Sequence, residues 1–284
     1  MKNIGERYGV DQMSNIVKRN NVQITGAGEN QIIFGHGFGC DQLVWKEVVK
    51  EFNDDYRIIT FDYVGSGQSD KGAYSKDRYS TLDGYKQDLI DVCDSLGEGT
   101  SIFVGHSVSS MIGMLASIER PELFSKLIMI APSPYYLNES GYQGGFDKTD
   151  IEELLELMEV NYKQWAKYLA PLIMLNENLP ELAEDFEELL CSNDPQIARE
   201  FAEVTFTTDV RAELKRLLVP TLIMQPQYDA IVPNEVGHYV HKQIPQSQLV
   251  VMEAIGHNPH ISHAVETSAV IKEYLTQSGD CEDG

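Results

Sequence analysis

The stretch Ile102-Phe103-Val104-Gly105-His106-Ser107-Val108-Ser109-Ser110-Met111-Ile112-Gly113 decides how the chain is read. It opens as a short apolar run with the character of a buried strand. It turns through Gly105-His106-Ser107 and continues as a small-residue, apolar helix start. A serine held at a sharp strand-to-helix turn is a nucleophile elbow, with its hydroxyl pushed out above a sheet. The turn also aims the Val108 N–H along the helix N-terminus, where negative charge is stabilised. The usual spacing is Gly-x-Ser-x-Gly, and here the last position is Ser109. Taken alone, the same residues also suit a serine N-cap on an ordinary helix. The rest of the chain separates the two readings.

The 284 residues are 42% apolar, enough for a sizeable core in one large α/β domain or two smaller ones. The formal net charge of -22 makes nucleic acid and anionic membranes poor partners. Cys40, Cys93, Cys191 and Cys281 form no CxxC pair and have no metal-ligand spacing with histidine, which reads as reduced thiols in a cytoplasmic protein. Residues 1–20 lack the apolar core of a secretion signal, and no apolar run approaches the ~20 residues that span a bilayer.

Working outward, short strands are expected at 22–24, 31–34, 57–61, 126–130, 221–224 and 249–252. Helical spacing appears at 43–52, 81–96, 234–243 and 265–275. This alternation implies a mainly parallel sheet flanked by helices. It stops over residues 135–206, where helices at 151–169, 182–190 and 195–206 follow one another without an apolar strand. That block is rich in carboxylates, notably Glu152, Glu153, Glu156, Glu181, Glu184, Asp185, Glu187 and Glu188, which read as a solvated outer face. The resulting organisation is an N-terminal extension at 1–13, a core at 14–134 and 207–276, a helical insertion at 135–206 and an acidic, frayed tail at 277–284.

A serine nucleophile needs a base, and the base needs an orienting carboxylate. Asp229 lies just beyond the strand at 221–224, and His257 just beyond the strand at 249–252. Both sit at carboxyl ends of parallel strands, where open α/β sheets build their sites, as does Ser107. Seven histidines compete for the base. His106 points away on the elbow, His36 belongs to a Gly-rich loop, and His238 and His241 lie in a helix. His260 and His263 follow His257 in a loop, and His260 is the rival base, as Asp62 is the rival acid on the wrong side of the sheet. The oxyanion of acyl transfer needs preorganised donors. The loop Gly35-His36-Gly37-Phe38-Gly39 supplies the Phe38 N–H to pair with the Val108 N–H. No phosphate loop or dinucleotide fingerprint occurs at a strand-to-helix turn, so no cofactor and no metal are called for.

Several further motifs carry a resemblance: His36-Gly37-Phe38-Gly39-Cys40-Asp41-Gln42 with Trp45, Phe61-Asp62-Tyr63-Val64-Gly65-Ser66-Gly67, Thr81-Leu82-Asp83-Gly84-Tyr85, Pro132-Ser133-Pro134-Tyr135-Tyr136-Leu137-Asn138 and Gly256-His257-Asn258-Pro259-His260. Together with the elbow they resemble the α/β hydrolases, in particular the bacterial sigma-B energy-stress regulator (RsbQ)-like serine hydrolases and, more distantly, the plant karrikin and strigolactone receptors. The resemblance covers residues 15–276. It implies an α/β-hydrolase fold with a helical cap inserted after the sixth strand. It implies a triad of Ser107, Asp229 and His257, and an apolar pocket for a small hydrophobic ester or lactone cleaved through an acyl-enzyme. It also implies a link to bacterial stress signalling with a PAS-domain phosphatase as partner. The alternative is a ligand-binding signalling module with slow or single-turnover hydrolysis that acts through a protein partner. A dehalogenase needs Asp at position 107 and is excluded, a long-chain lipase is disfavoured, and haloperoxidase or C–C hydrolase chemistry would share the triad. The departures are Ser109, a longer N-terminus and a more acidic cap and tail. Ser109 adds a hydroxymethyl group where the elbow helix passes a neighbouring strand, which either fits by small shifts or loosens the elbow and slows turnover.

Overall fold

The structure, a computed structural model, describes residues 10–277, with side chains described from Ser14. Seven strands form one sheet: β1 (Gln23–Thr25), β2 (Asn30–Gly35), β3 (Tyr56–Thr60), β4 (Ser101–His106), β5 (Phe124–Ile130), β6 (Thr221–Gln225) and β7 (Ser247–Val251). Their order is β1-β3-β2-β4-β5-β6-β7, with β1 antiparallel to β3 and every other pair parallel. Every residue of the central strand β4 is buried. That is why its sequence is a continuous apolar run with no alternation.

The helices are α1 (Val10–Arg19), α2 (Lys46–Val49), α3 (Leu82–Ser95), α4 (Val108–Glu119), α5 (Lys148–Val160), α6 (Tyr162–Met174), α7 (Pro180–Cys191), α8 (Pro195–Thr207), α9 (Asn234–Gln243), α10 (Pro259–Ser262) and α11 (Ala264–Gln277). Helix α3 starts where Thr81 accepts a hydrogen bond from the Asp83 N–H, an N-cap that satisfies one of the first turn's free donors. Trp45, Val48 and Phe52 bury one face of the segment around α2 against the sheet. Helices α5 to α8 follow one another between β5 and β6. Glu152, Glu153, Glu156, Glu184, Asp185 and Glu188 of this block all face solvent.

Three sequence expectations are corrected. The helical block follows the fifth strand and not a sixth: among the described residues the chain ahead of β1 supplies α1 and no strand. The single helix expected at 151–169 is two, α5 and α6. Asn161 ends the first with a non-helical backbone and caps the second by accepting from the Gln164 N–H. The N-terminal extension assigned to 1–13 is helical from Val10, while residues 1–9 and the tail beyond Gln277 lie outside the described residues.

Candidate active site

The carboxyl ends of β2, β4, β6 and β7 carry, in turn, the Gly-rich loop, Ser107, Asp229 and His257. The parallel register pairs Gly35 with Gly105, so the loop after β2 and the elbow after β4 leave the sheet side by side.

Ser107 has φ 55 and ψ -122, left-handed backbone that a residue with a side chain rarely adopts. Such a conformation costs about 1–3 kcal/mol and persists only when its surroundings fix it. Here the Ser107 N–H donates to the Ile130 carbonyl at 2.8 Å and the Ser107 carbonyl accepts from the Ser110 N–H at 2.9 Å. Gly105 lets α4 close over the turn, since a Cβ there would stand 2.7 Å from the Ser109 carbonyl carbon and oxygen.

The Ser107 Oγ lies 2.9 Å from His257 Nε2, and His257 Nδ1 lies 2.7 Å from Asp229 Oδ2. The other Asp229 oxygen accepts from the Ile231 and Val232 N–H groups at 2.8 and 3.1 Å. All three side chains are buried. An acceptor carboxylate at Nδ1 fixes the imidazole with its proton there, which leaves Nε2 to accept from the serine hydroxyl. The loop that brings His257 is docked on the end of α6: its N–H donates to the Ile173 carbonyl at 2.7 Å. Gly256 has φ +88, and a Cβ on it would stand 2.4 Å from the Met174 carbonyl oxygen, so only glycine makes that approach. The acid and base loops also bond to each other, Gly256 N–H to Tyr228 carbonyl at 2.8 Å.

The rivals are accounted for. Asp62 accepts from the Gln42 and Gln68 N–H groups and from the Asn21 amide, and organises turns away from Ser107. His260 is buried between the tilted rings of Trp45 and His106 at centroid distances of 4.4 and 4.3 Å, with neither ring nitrogen bonded among the described residues. Burial, reinforced by His257 and His36, pushes its pKa down to about 3, so it stays neutral. His106 Nε2–H donates to the His257 carbonyl at 2.8 Å and braces the base from behind. Burial, then the neighbouring His260 and His257, hold His106 well below the usual imidazole range.

Phe38 lies in the loop after β2, and Val108 is the first residue of α4. The Phe38 ring packs edge-on against Trp165, Phe201 and Phe206 at 6.0, 5.7 and 5.9 Å. The sequence reading misses Tyr136 as a site residue. Its hydroxyl is 3.1 Å from Ser107 Oγ. With the serine proton directed to His257, the phenol is the donor. Burial raises the Tyr136 pKa, which keeps that proton in place.

Above Ser107 lies a narrow cavity of about 20 Å³, walled mainly by apolar side chains such as Leu154, Leu169, Ile173 and Phe186. Its few polar groups converge on the serine, the arrangement expected of a small-molecule site. Among the described residues no group of three or more His, Cys, Asp or Glu side chains could hold a metal. Cys40 and Cys93 are buried, and burial raises both thiols far above their usual range. No described helix is long and apolar enough to cross a membrane.

A model of the alpha/beta hydrolase fold family matches residues 30–264. The chain belongs to the α/β hydrolase family. Among curated relatives of this hydrolase, karrikin insensitive 2 receptor CA of Petunia hybrida is 39% identical over 251 residues, 88% of this chain and 93% of that protein. A strigolactone esterase of Arabidopsis thaliana is 36% identical over 262 residues, 92% and 98% of the two chains. Among solved structures, a hydrolase from Oleispira antarctica superposes with a TM-score of 0.91 at 40% identity, covering 93% of this chain and 97% of its own.

Proposed function

We propose that this α/β hydrolase cleaves a small hydrophobic ester or lactone through an acyl-enzyme. The observation that carries the reading is the hydrogen-bond chain Asp229–His257–Ser107, ending on a serine in left-handed backbone at the floor of an apolar cavity. Ser107 Oγ attacks the carbonyl carbon while His257 Nε2 takes its proton, and Asp229 stabilises the imidazolium that forms. The Phe38 and Val108 N–H groups receive the oxyanion. His257 then gives the proton to the departing alkoxide oxygen. In the second half it takes a proton from water, whose oxygen attacks the acyl carbon, and it returns that proton to Ser107 Oγ as the serine leaves.

The test is hydrolysis of a short-chain p-nitrophenyl ester. Ser107→Ala is expected to lower kcat by at least ~10⁴-fold. Activity that survives the substitution removes Ser107 as the nucleophile.

A second reading is a ligand-binding signalling module with slow or single-turnover hydrolysis. It is favoured by the place of Phe38, whose backbone belongs to the loop beside the serine and whose ring is set among α6 and α8. A ligand that shifts those helices shifts the loop, and a partner can read the helices from outside. A relative named as a karrikin receptor and another named as a strigolactone esterase fit either reading. We extend the proposal to a cytoplasmic role in bacterial stress signalling with a PAS-domain phosphatase as partner, on the strength of the motif resemblance. Many turnovers per minute by the isolated protein would count against the pure receptor.

A further inference from the structure

Ser109 stands where the usual elbow spacing has glycine, yet its hydroxyl is neither exposed nor idle. The residue is fully buried. Its Oγ donates to the His36 carbonyl at 2.6 Å and lies 2.9 Å from the Tyr63 hydroxyl. A serine has one proton, and a carbonyl can only accept, so that proton is committed to His36 and the Tyr63 O–H is the donor in the second bond. Burial raises the Tyr63 pKa, so the phenol keeps its proton for that purpose.

His36 is the residue from which the loop turns toward Phe38. It is held on every side. Its ring Nε2 accepts from the Tyr63 N–H at 3.2 Å, and its Nδ1 is 2.9 Å from the Gly37 carbonyl, to which it donates. Farther along, the Gly39 carbonyl accepts from the Asn193 side chain at 2.9 Å. Among the described residues, the Ser109 bond is the one hydrogen bond that ties this loop directly to the elbow helix. The two oxyanion donors sit on opposite sides of that tie: Phe38 is two residues beyond His36, and Val108 is next to Ser109.

We propose that Ser109 is a positioning residue for the oxyanion hole, its hydroxyl fixing the loop that carries Phe38 against the helix start that carries Val108. This rests on the serine-hydrolase reading above. It also reverses the sense of the sequence departure, because glycine here would leave the His36 carbonyl and the Tyr63 hydroxyl buried without their partner. A donor displaced by a fraction of an ångström loses much of its hold on the transition state and little of its hold on the substrate.

The test compares Ser109→Ala, Ser109→Gly and Ser109→Cys with Tyr63→Phe, using a short-chain p-nitrophenyl ester and a trifluoromethyl ketone that forms a hemiketal oxyanion on the nucleophile. Ser109→Ala and Ser109→Gly are expected to lower kcat by ~10–100-fold at nearly constant KM, and to weaken the ketone by a similar factor. Ser109→Cys, which keeps a weak donor, falls between them and the wild type. Tyr63→Phe, which leaves the Ser109–His36 bond in place, stays within ~3-fold. If the Ser109 variants lose only melting temperature, with kcat and ketone affinity within ~2-fold of wild type, the hydroxyl is structural and the proposal fails. A faster Ser109→Gly enzyme overturns it as well. Ser107→Ala serves as the control: hydrolysis retained there defeats the serine-hydrolase reading, whereas a dead Ser107→Ala beside fully active Ser109 variants defeats only the present inference.

Discussion

His260→Phe should make the protein less sensitive to acid. The His260 ring is completely buried, and neither nitrogen has a partner among the described residues. Its faces meet Trp45 and His106, and the other titratable groups acting on it are His257 and His36. Burial first, and those imidazoles next, lower its pKa from 6.5 to about 3. A depressed histidine pKa means that the unfolded chain binds a proton the folded chain refuses. Its contribution is therefore intact above about pH 6.5 and is lost as pH falls toward 3. Near pH 5 the unfolded state gains about 1.5 pH units of proton affinity, worth about 2 kcal/mol at ~1.36 kcal/mol per unit. Phenylalanine keeps an aromatic ring there and cannot take the proton. It is larger, and any overpacking shifts the absolute stability equally at each pH. His106 adds to the wild-type slope, and losing His260 relieves part of its own depression, which acts in the same direction. Guanidinium unfolding at about pH 8 and about pH 5 supplies the four free energies. The loss of stability between the two pH values should be smaller in the variant by about 2 kcal/mol. An equal loss in both proteins would refute the argument and mean that the buried imidazole is protonated or solvated in the folded state.

Asp229→Asn is expected to lower kcat by ~10³–10⁴-fold with little change in KM, because an amide that donates at this position turns the imidazole to the wrong tautomer. Steady-state kinetics on a p-nitrophenyl ester, with thermal melting as a check on folding, measure it. Tyr136→Phe removes the donor 3.1 Å from Ser107 Oγ and should lower kcat by ~3–10-fold, the effect of one neutral hydrogen bond. An unchanged kcat would show that the phenol does not act on the serine.

The strands were legible because the buried parallel strands are continuous apolar runs between turn residues. Ile102 to His106 is buried at every position. The order of strand, loop and chemistry then put Ser107, Asp229 and His257 at matching strand ends, and the structure hydrogen-bonds all three. The break at Asn161 was not legible, since the apolar spacing runs on through it, and a single asparagine decides the boundary by capping backwards and forwards. Nor was α1 read, although Val10, Met13 and Val17 recur in the sequence at helical spacing. At Asn161 the deciding contacts are local and polar, and hydrophobic periodicity does not register them.

The residues that support the site were harder to read than the residues that do the chemistry, and for a different reason. A nucleophile, a base and an acid are recognisable by type and by place on a strand end. Their supports are recognisable only by partner, and the partners are remote in sequence: Ser109 to His36 spans 73 residues, Ser109 to Tyr63 spans 46, and His106 to the His257 carbonyl spans 151. A glycine in the elbow motif signifies a close approach of backbones. A serine in its place looks like a misfit until the carbonyl it meets is known. Gly105 already provides the closeness that the turn needs, because it is there that a Cβ would strike the helix backbone. The second position is therefore free to carry a side chain, provided that its hydroxyl is satisfied in a site with no water to spare. His36 and Tyr63 satisfy it, and the bond to His36 ties the loop beside the nucleophile to the elbow helix. The departure from the motif and the tie between the Gly-rich loop and the elbow helix are one feature of the structure.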